Sequence, residues 1–286
     1  MSSSNALALE GDREFKFTNK DFEQVREFVK KETGISLSDA KKNLVYGRLS
    51  RRLRDLSIAS FSDYLKYVKN ENAAELVNFV NAITTNLTSF FREEHHFEFL
   101  KKEVIPKLVK SNEASRRIRC WSAGCSTGEE PYSLAIALTE ALPNIATWDA
   151  KILATDLDTN VLAHGERGEY DIERIAGLDE KRKKMWFRKG RGDKNLIVKT
   201  APSLRELITF RQLNLMTQWP MKGPFDFIFC RNVVIYFDKD TQRVLFDRYA
   251  NILRPGGYIF LGHSESMFKV SNRFKLIGNT IYQRIL

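Results

Sequence analysis

The stretch CWSAGCSTGEEPYS, Cys120 to Ser133, decides how this chain folds. An apolar strand enters it, small residues occupy the bend and a helix leaves, the outline of a nucleotide-binding turn. Gly124 and Gly128 let the backbone turn sharply and approach a ligand closely. The helix beyond presents unpaired amides that favour negative charge. Glu129 and Glu130 occupy that helix start themselves, where they complement the helix dipole and repel a phosphate. The loop therefore suits a ligand that is neutral or cationic at this point, such as an amino-acid ammonium or a sulfonium.

From Arg117 onward, strand-like runs (RIRCWSAG, AKILATDL, ITFRQLNL, FDFIFCRN, GYIFLGH) alternate with helical ones. The alternation predicts parallel strands with crossover helices in an open α/β sheet, whose ligands bind beyond the C-terminal strand ends. An acidic residue ending the second strand is placed to take a ribose diol, with Asp156 the first choice and Asp158 the second. Asp158 equally suits a helix N-cap. Further along, LRPGGYIFLGH predicts a helix end, a Pro-Gly-Gly turn and another strand. The segment from Glu169 to Ile208 is too long for a plain connection and predicts a small inserted subdomain, with NLIVKT as a strand.

Upstream, from Thr18 to about Pro106, the pattern is helical. Thr18 and Asp21 form a capping-box-like start, Phe22, Val25, Phe28 and Val29 share a face, and Gly34 ends the run. Ser60 with Asp63 and Asn72 with Glu75 repeat the start signal. In KKNLVYGRLSRRLRDL, Val45, Leu49, Leu53 and Leu56 form one apolar stripe, outside which fall Arg48, Arg51, Arg52 and Arg54. From Lys41 to Arg54 there is no acidic residue, whereas ordinary exposed helices mix signs.

At 286 residues the chain suits one medium domain plus a smaller one, and 43% hydrophobic residues are enough for a buried core. No apolar run approaches the roughly 20 residues of a membrane-spanning helix, and the N-terminus does not read as a signal peptide. Residues 1–16 are expected to be a mobile tail. The three cysteines lack metal-ligand spacing and no metal is expected; a reducing cytoplasm fits them. The net charge of +10 predicts a polyanionic partner: nucleic acid, acidic lipid or an acidic protein face.

Glycine turn, helix-start glutamates, strand-end aspartate and Pro-Gly-Gly run together resemble the S-adenosylmethionine-dependent methyltransferase fold. The turn is similar to that family's DxGCGTG pattern, with Ser122 replacing the acidic residue and Ser126 the middle glycine. TTNLTSFFRE (Thr84 to Glu93), CRNVVIYF and GHSE sharpen the likeness. From about Thr18 to its end the chain resembles the chemotaxis-receptor protein-glutamate methyltransferases, the CheR family.

The resemblance implies a small all-helical domain (17–90) that docks substrate. A Rossmann-like class I methyltransferase domain (91–286) would follow, with an inserted antiparallel β-subdomain at about 170–207. It implies S-adenosyl-L-methionine as cofactor and S-adenosyl-L-homocysteine as product. Asn86, Thr88 and Arg92 would reach the cofactor from the junction, Gly124 and Glu130 from the turn, and Asp156 at the ribose. Asn214 and Leu215 would flank the adenine, while Arg231 and Asn232 would close the cleft. Arg92 would orient the substrate carboxylate. Tyr236 stands either near the reactive centre or in core packing beside Phe237.

Arg48, Arg51, Arg52 and Arg54 would meet glutamate-bearing helices of the receptor's cytoplasmic domain. The enzyme would be cytoplasmic, recruited to membrane-bound receptor arrays, without inserting into the membrane or binding nucleic acid. In some relatives the β-subdomain grips a tether at the receptor's C-terminus; here the loop around Gly190 and Gly192 departs from that pattern, and the question stays open. A nucleic-acid methyltransferase would also use the positive charge, but CRNVVIY stands where base-amino methyltransferases carry an Asn/Asp-Pro-Pro-aromatic motif. A non-catalytic cofactor-binding adaptor is the remaining alternative.

Overall fold

The computed structural model describes residues 13–70, 73–142 and 144–285. The chain divides into two compact units, Met1–Thr85 and Asn86–Leu286, so the division falls a few residues before the expected 90/91 boundary.

In the first unit, α1 (Asn19–Thr33) begins at the predicted capping box, Thr18 and Asp21, and ends at Gly34, whose φ of 75° is left-handed. Three more helices follow: α2 (Lys42–Asp55), α3 (Phe61–Asn70) and α4 (Ala73–Ile83). Of the predicted α2 stripe, Val45, Leu49 and Leu53 are fully buried, whereas Leu56 caps the helix end and is half-buried. The Ser60 hydroxyl accepts the Asp63 amide at 3.1 Å and so caps α3. Asn72, the expected cap of α4, lies outside the described residues. So do residues 1–12 of the expected tail. Residues 13–16 depart from that expectation: Arg13 donates to Asn43 at 2.6 Å and Phe15 meets the Phe61 ring edge-on.

The arginines of α2 also depart from a uniform exposed face. Arg48 donates to the carbonyls of Ala82, Ile83 and Thr84, closing the end of α4. Arg52 grips the buried Glu75 carboxylate with Nε at 3.1 Å and Nη2 at 2.8 Å. Arg54 pairs with exposed Glu14, and Arg51 is exposed. The side chains of Arg48 and Arg52 are thus engaged inside the unit, and those of Arg51 and Arg54 are the exposed ones of the four.

In the second unit, α5 (Glu94–Phe99) runs through a π turn, Leu100–Val104, into α6 (Ile105–Ser111). Pro106, with no amide hydrogen to donate, sits just past that wider turn. Then come β1 (Arg117–Ala123), α7 (Glu129–Ala141), β2 (Asp149–Asp156), α8 (Thr159–Arg167), β3 (Glu169–Asp171), α9 (Glu180–Trp186), β4 (Phe187–Lys189), β5 (Ile197–Thr200), α10 (Pro202–Arg205), β6 (Ile208–Gln212), β7 (Phe225–Cys230), α11 (Lys239–Ile252), β8 (Leu253–Leu261), β9 (Phe274–Gly278) and β10 (Ile281–Arg284).

The main sheet has the order β6-β2-β1-β7-β8-β10-β9. Its first five strands are parallel and the last two antiparallel. The chain leaves β1 on one side for β2 and β6, then returns to β7 on the other. The topological switch point therefore lies at the C-terminal ends of β1 and β7. β7 is buried at every residue, and Phe229 stacks on Phe260 of β8 at 4.2 Å between centroids.

Pro255-Gly256-Gly257 is not a separate turn: it lies inside β8 as a bulge, since Phe225 pairs with Leu253 and Phe227 with Tyr258. The inserted segment forms an antiparallel sheet of order β3-β5-β4. Among the described residues no helix is long and apolar enough to cross a membrane.

Glu75 is the polar keystone of the first unit. Besides Arg52, its carboxylate accepts from Tyr64 Oη at 2.8 Å and Asn78 Nδ2 at 3.0 Å. Burial pushes this carboxyl up, but the hydrogen bonds from Arg52, Asn78 and Tyr64 outweigh burial and hold it below the usual glutamate range. Glu75→Ala is expected to destabilise this unit by about 3 kcal/mol, because Arg52 and Tyr64 lose their buried partner. Because the folded carboxyl is depressed, that contribution is present at neutral pH and is lost as the pH falls through the depressed range. Urea titrations of wild type and variant at neutral and acidic pH measure both effects.

Candidate active site

At the switch point the turn after β1 is held by its own backbone. The amides of Gly124 and Cys125 both donate to Thr155 O, at 2.8 and 2.9 Å. Gly124 (φ 89°), Ser126 (φ 49°) and Gly128 (φ 100°) all have left-handed backbones. Glycine is required at Gly124 on two counts, because a Cβ there would also overlap Val233 Cγ2. At Gly128 a Cβ would meet Tyr170 Oη at 2.7 Å and Gly165 Cα at 2.8 Å.

Asp156, at the end of β2, accepts the Ser126 amide at 2.8 Å and the Asp158 amide at 3.0 Å. Burial pushes its carboxyl up, against those hydrogen bonds. Asp158 takes the capping role: one oxygen accepts the Asn160 and Val161 amides at the start of α8. Its other oxygen accepts from Asn86 Nδ2 at 2.8 Å, and Asn86 O accepts the Ser126 hydroxyl at 3.1 Å. Asn86, the turn and the β2 end thus form one hydrogen-bonded group. Asn214 and Leu215 follow β6, the strand beside β2, where Leu213 donates its amide to Asp156 O at 2.9 Å.

The two helix-start glutamates have different partners. Glu129 is buried and paired with Arg174, which also donates to Thr88 O at 2.7 Å. Glu130 accepts the Ser122 hydroxyl at 2.7 Å and faces Arg231 Nη1 at 3.4 Å. Burial pushes the Glu130 carboxyl up, and Arg231 and Ser122 counter only part of that shift. Ser122 thus stands at the acidic position of the glycine-turn pattern and binds a neighbouring glutamate instead.

Arg231 is almost fully buried and also reaches Glu93 Oε2 at 3.6 Å and the Arg92 carbonyl. His263 Nδ1 lies 3.0 Å from the other Glu93 oxygen. Arg92 itself is half-buried and donates from Nη1 to Leu87 O at 3.0 Å. Tyr236 is half-buried in the short helical turn after β7, beside buried Phe237.

Sequence reading missed three partners: Arg174, supplied by the insert; Glu93; and Glu265. It also missed that Glu93, His95 and His96 bring one ligand atom each within 4.8 Å of one another. The Glu93 carboxylate already faces Arg231 at 3.6 Å and His263 at 3.0 Å, so it is engaged by its own neighbours. Burial and the Arg231 charge push the His96 imidazole down to about 4, so this ring is neutral.

The donor set fits a ligand with a cationic centre and a diol. Glu130 is a buried carboxylate and Asp156 a half-buried one, and the glycine turn allows close approach. Residues 86–283 match the family model described as "CheR methyltransferase, SAM binding domain", and residues 20–84 the one described as "CheR methyltransferase, all-alpha domain". The chain belongs to the CheR methyltransferase family.

Chemotaxis protein methyltransferase 2 of Pseudomonas aeruginosa is 44% identical over 283 residues, covering 99% of this chain and 99% of that protein. The chemotaxis protein methyltransferase of Salmonella typhimurium is 39% identical, covering 98% and 96%. That of Escherichia coli is 38% identical, covering 97% and 95%. This CheR-family chain is an enzyme, a methyltransferase that uses S-adenosyl-L-methionine, and receptor glutamate methylation in chemotaxis is the standard role of its family.

Gly124→Ala is expected to cost about 2–5 kcal/mol, combining a left-handed alanine with the overlap on Val233. Adding Val233→Ala should recover the packing part and leave the backbone part. Thermal unfolding and calorimetric S-adenosylmethionine binding of the single and double variants separate the two.

Proposed function

We propose that this chain methylates glutamate side chains on the cytoplasmic helical domain of chemotaxis receptors, working in the cytoplasm at membrane-bound arrays. The observation that carries the reading is the Glu130 carboxylate, buried at the helix start where a nucleotide-binding turn would receive phosphate. A carboxylate there favours a cationic ligand group and disfavours a phosphate. Asp156 would take the ribose, Asn86, Thr88 and Arg92 the junction side, Asn214 and Leu215 the adenine, and Arg231 and Asn232 the far wall. When bound, S-adenosylmethionine supplies an electrophilic methyl group.

The chain's own task is then modest. A substrate glutamate with a pKa of about 4.3 is already ionised at neutral pH, so no general base is needed. Catalysis rests on orientation and on excluding water. Arg92 is the group assigned to orient the substrate carboxylate, with Tyr236 lining the approach.

Docking is assigned to Arg51 and Arg54 of α2. The Arg54–Glu14 pair is exposed, and such surface pairs contribute only about 0–1 kcal/mol, so Arg54 exchanges partners readily. A receptor C-terminal tether is assigned to the inserted sheet. Edge strand β4 borders a cleft of about 550 Å³ with apolar Ile172, Phe187 and Val198 and a rim of mixed charge, in which Lys184 and Lys189 stand beside Glu173 and the Lys183–Glu180 pair. An apolar floor beside an edge strand suits a short apolar peptide added as a further strand.

Radiolabelled methyl from S-adenosylmethionine should transfer to chemoreceptor-containing membranes and be released as methanol by mild alkali. Label that resists alkali would mean methylation at nitrogen or in nucleic acid. Cofactor binding with no transfer would mean a non-catalytic adaptor.

In the same assay, Arg51→Glu combined with Arg54→Glu should raise the KM for receptor about tenfold at low salt. Its affinity for S-adenosylmethionine should stay unchanged. Equal receptor KM values for wild type and the double variant would remove this face from the account.

A further inference from the structure

The GHSE segment, Gly262 to Glu265, directly follows β8. Its glutamate, Glu265, is buried, and its carboxylate accepts four backbone amides. Oε2 accepts from Asn232 at 2.8 Å and Gly262 at 2.6 Å; Oε1 accepts from Val233 at 2.8 Å and Ile235 at 3.2 Å. Three of those amides belong to one turn, the segment after β7 that carries Arg231, Asn232 and Tyr236. The fourth is Gly262, directly after β8.

That turn holds itself only in part, through the amides of Tyr236 and Phe237, which donate to Val233 O and Val234 O at 3.2 and 3.1 Å. Asn232 has a left-handed backbone, φ 58°, which costs a non-glycine residue of order 1 kcal/mol and persists only when its surroundings fix it. Among the described residues the amides of Asn232, Val233 and Ile235 have no strand or helix partner, and one carboxylate takes all three. On the acceptor side, Gln242 Nε2 donates to Val234 O at 2.8 Å and Phe237 O at 3.0 Å. The turn is thus clamped at its donors by Glu265 and at its acceptors by Gln242.

Two contacts carry the turn's position into the cofactor site. Val233 packs where a side chain on Gly124 would have to go, so the turn and the glycine loop share one surface. Gly262 is pressed against Asn232: an added Cβ would lie 2.6 Å from Asn232 Nδ2 and 2.9 Å from its amide nitrogen. A shift in the turn would therefore move Arg231, Asn232 and the wall of the glycine loop together.

We infer that Glu265 is the positioning residue for the cofactor wall, fixing the turn that presents Arg231 and Asn232 without touching the ligand itself. This rests on the reading that the turn faces the cofactor. Glu265→Gln is close to isosteric and replaces one acceptor oxygen by an NH₂ group, which would face two backbone N–H groups donor to donor. Its expected effect is about tenfold weaker binding of S-adenosylmethionine, the scale of losing hydrogen bonds to a charged group. Glu265→Asp, which keeps the charge on a shorter stem, should fall between wild type and Glu265→Gln.

Calorimetric titration of the full chain, well below its unfolding temperature, reads both Kd and the number of sites. A merely structural role would lower the fraction of chains that bind and leave Kd alone. Positioning weakens Kd with one site per chain retained. A Kd within about twofold of wild type, or a loss confined to stoichiometry, overturns the inference. Should Glu265→Gln not fold, Glu265→Asp is judged by the same criterion.

Asn232→Ala and Arg231→Lys test the underlying reading. If neither weakens binding, the turn does not face the cofactor and both readings fall. If they weaken it and the Glu265 variants do not, only the role of Glu265 falls.

Discussion

The catalytic unit depends on one buried cation. The Arg231 side chain is only 2% exposed, and a guanidinium moved out of water loses several kcal/mol of hydration that its partners must offset. Those partners come from separate segments: Glu130 from the start of α7, and Glu93 with the Arg92 carbonyl from the segment before α5. The rings of Phe97 and Phe229 lie within 6 Å of its Cζ. Arg231 therefore holds three segments of chain at the switch point of the sheet, and its loss would leave two like-charged carboxylates near one another in a dry place.

The same network sets the character of the ligand site. A helix start preceded by glycines ordinarily collects phosphate. Here Glu129 is bound by Arg174 and Glu130 by Ser122 and Arg231, so the glutamates are built into the wall with their own partners. Asp156 is different: its hydrogen bonds come from backbone amides, and burial raises its carboxyl. A half-buried carboxylate held by backbone amides is well placed to accept hydroxyl donors, which is what a ribose diol offers.

Much of this was legible in the chain. The glycine turn, the five parallel strands, the helical first unit and the capping box at Thr18 each rest on local pattern, and each stands in the structure. The antiparallel strands β9 and β10 went unread because Leu276 and Ile277 are exposed and blur the alternation of β9. The four arginines of α2 show the limit of charge counting. Helical spacing put them outside the apolar stripe, but spacing cannot tell that Arg48 closes the end of α4 or that Arg52 meets a buried glutamate.

By itself, the sequence determined where the backbone must bend and which residues end each strand, because glycine, capping and apolar periodicity act over a few residues. The tertiary structure alone decided which charges meet. Arg231 with Glu130 and Glu93, Arg174 with Glu129, and Glu265 with the turn after β7 join residues far apart in the chain. The reason is physical: a buried charge must be matched in space, and only folding fixes which distant side chains share a site shielded from water.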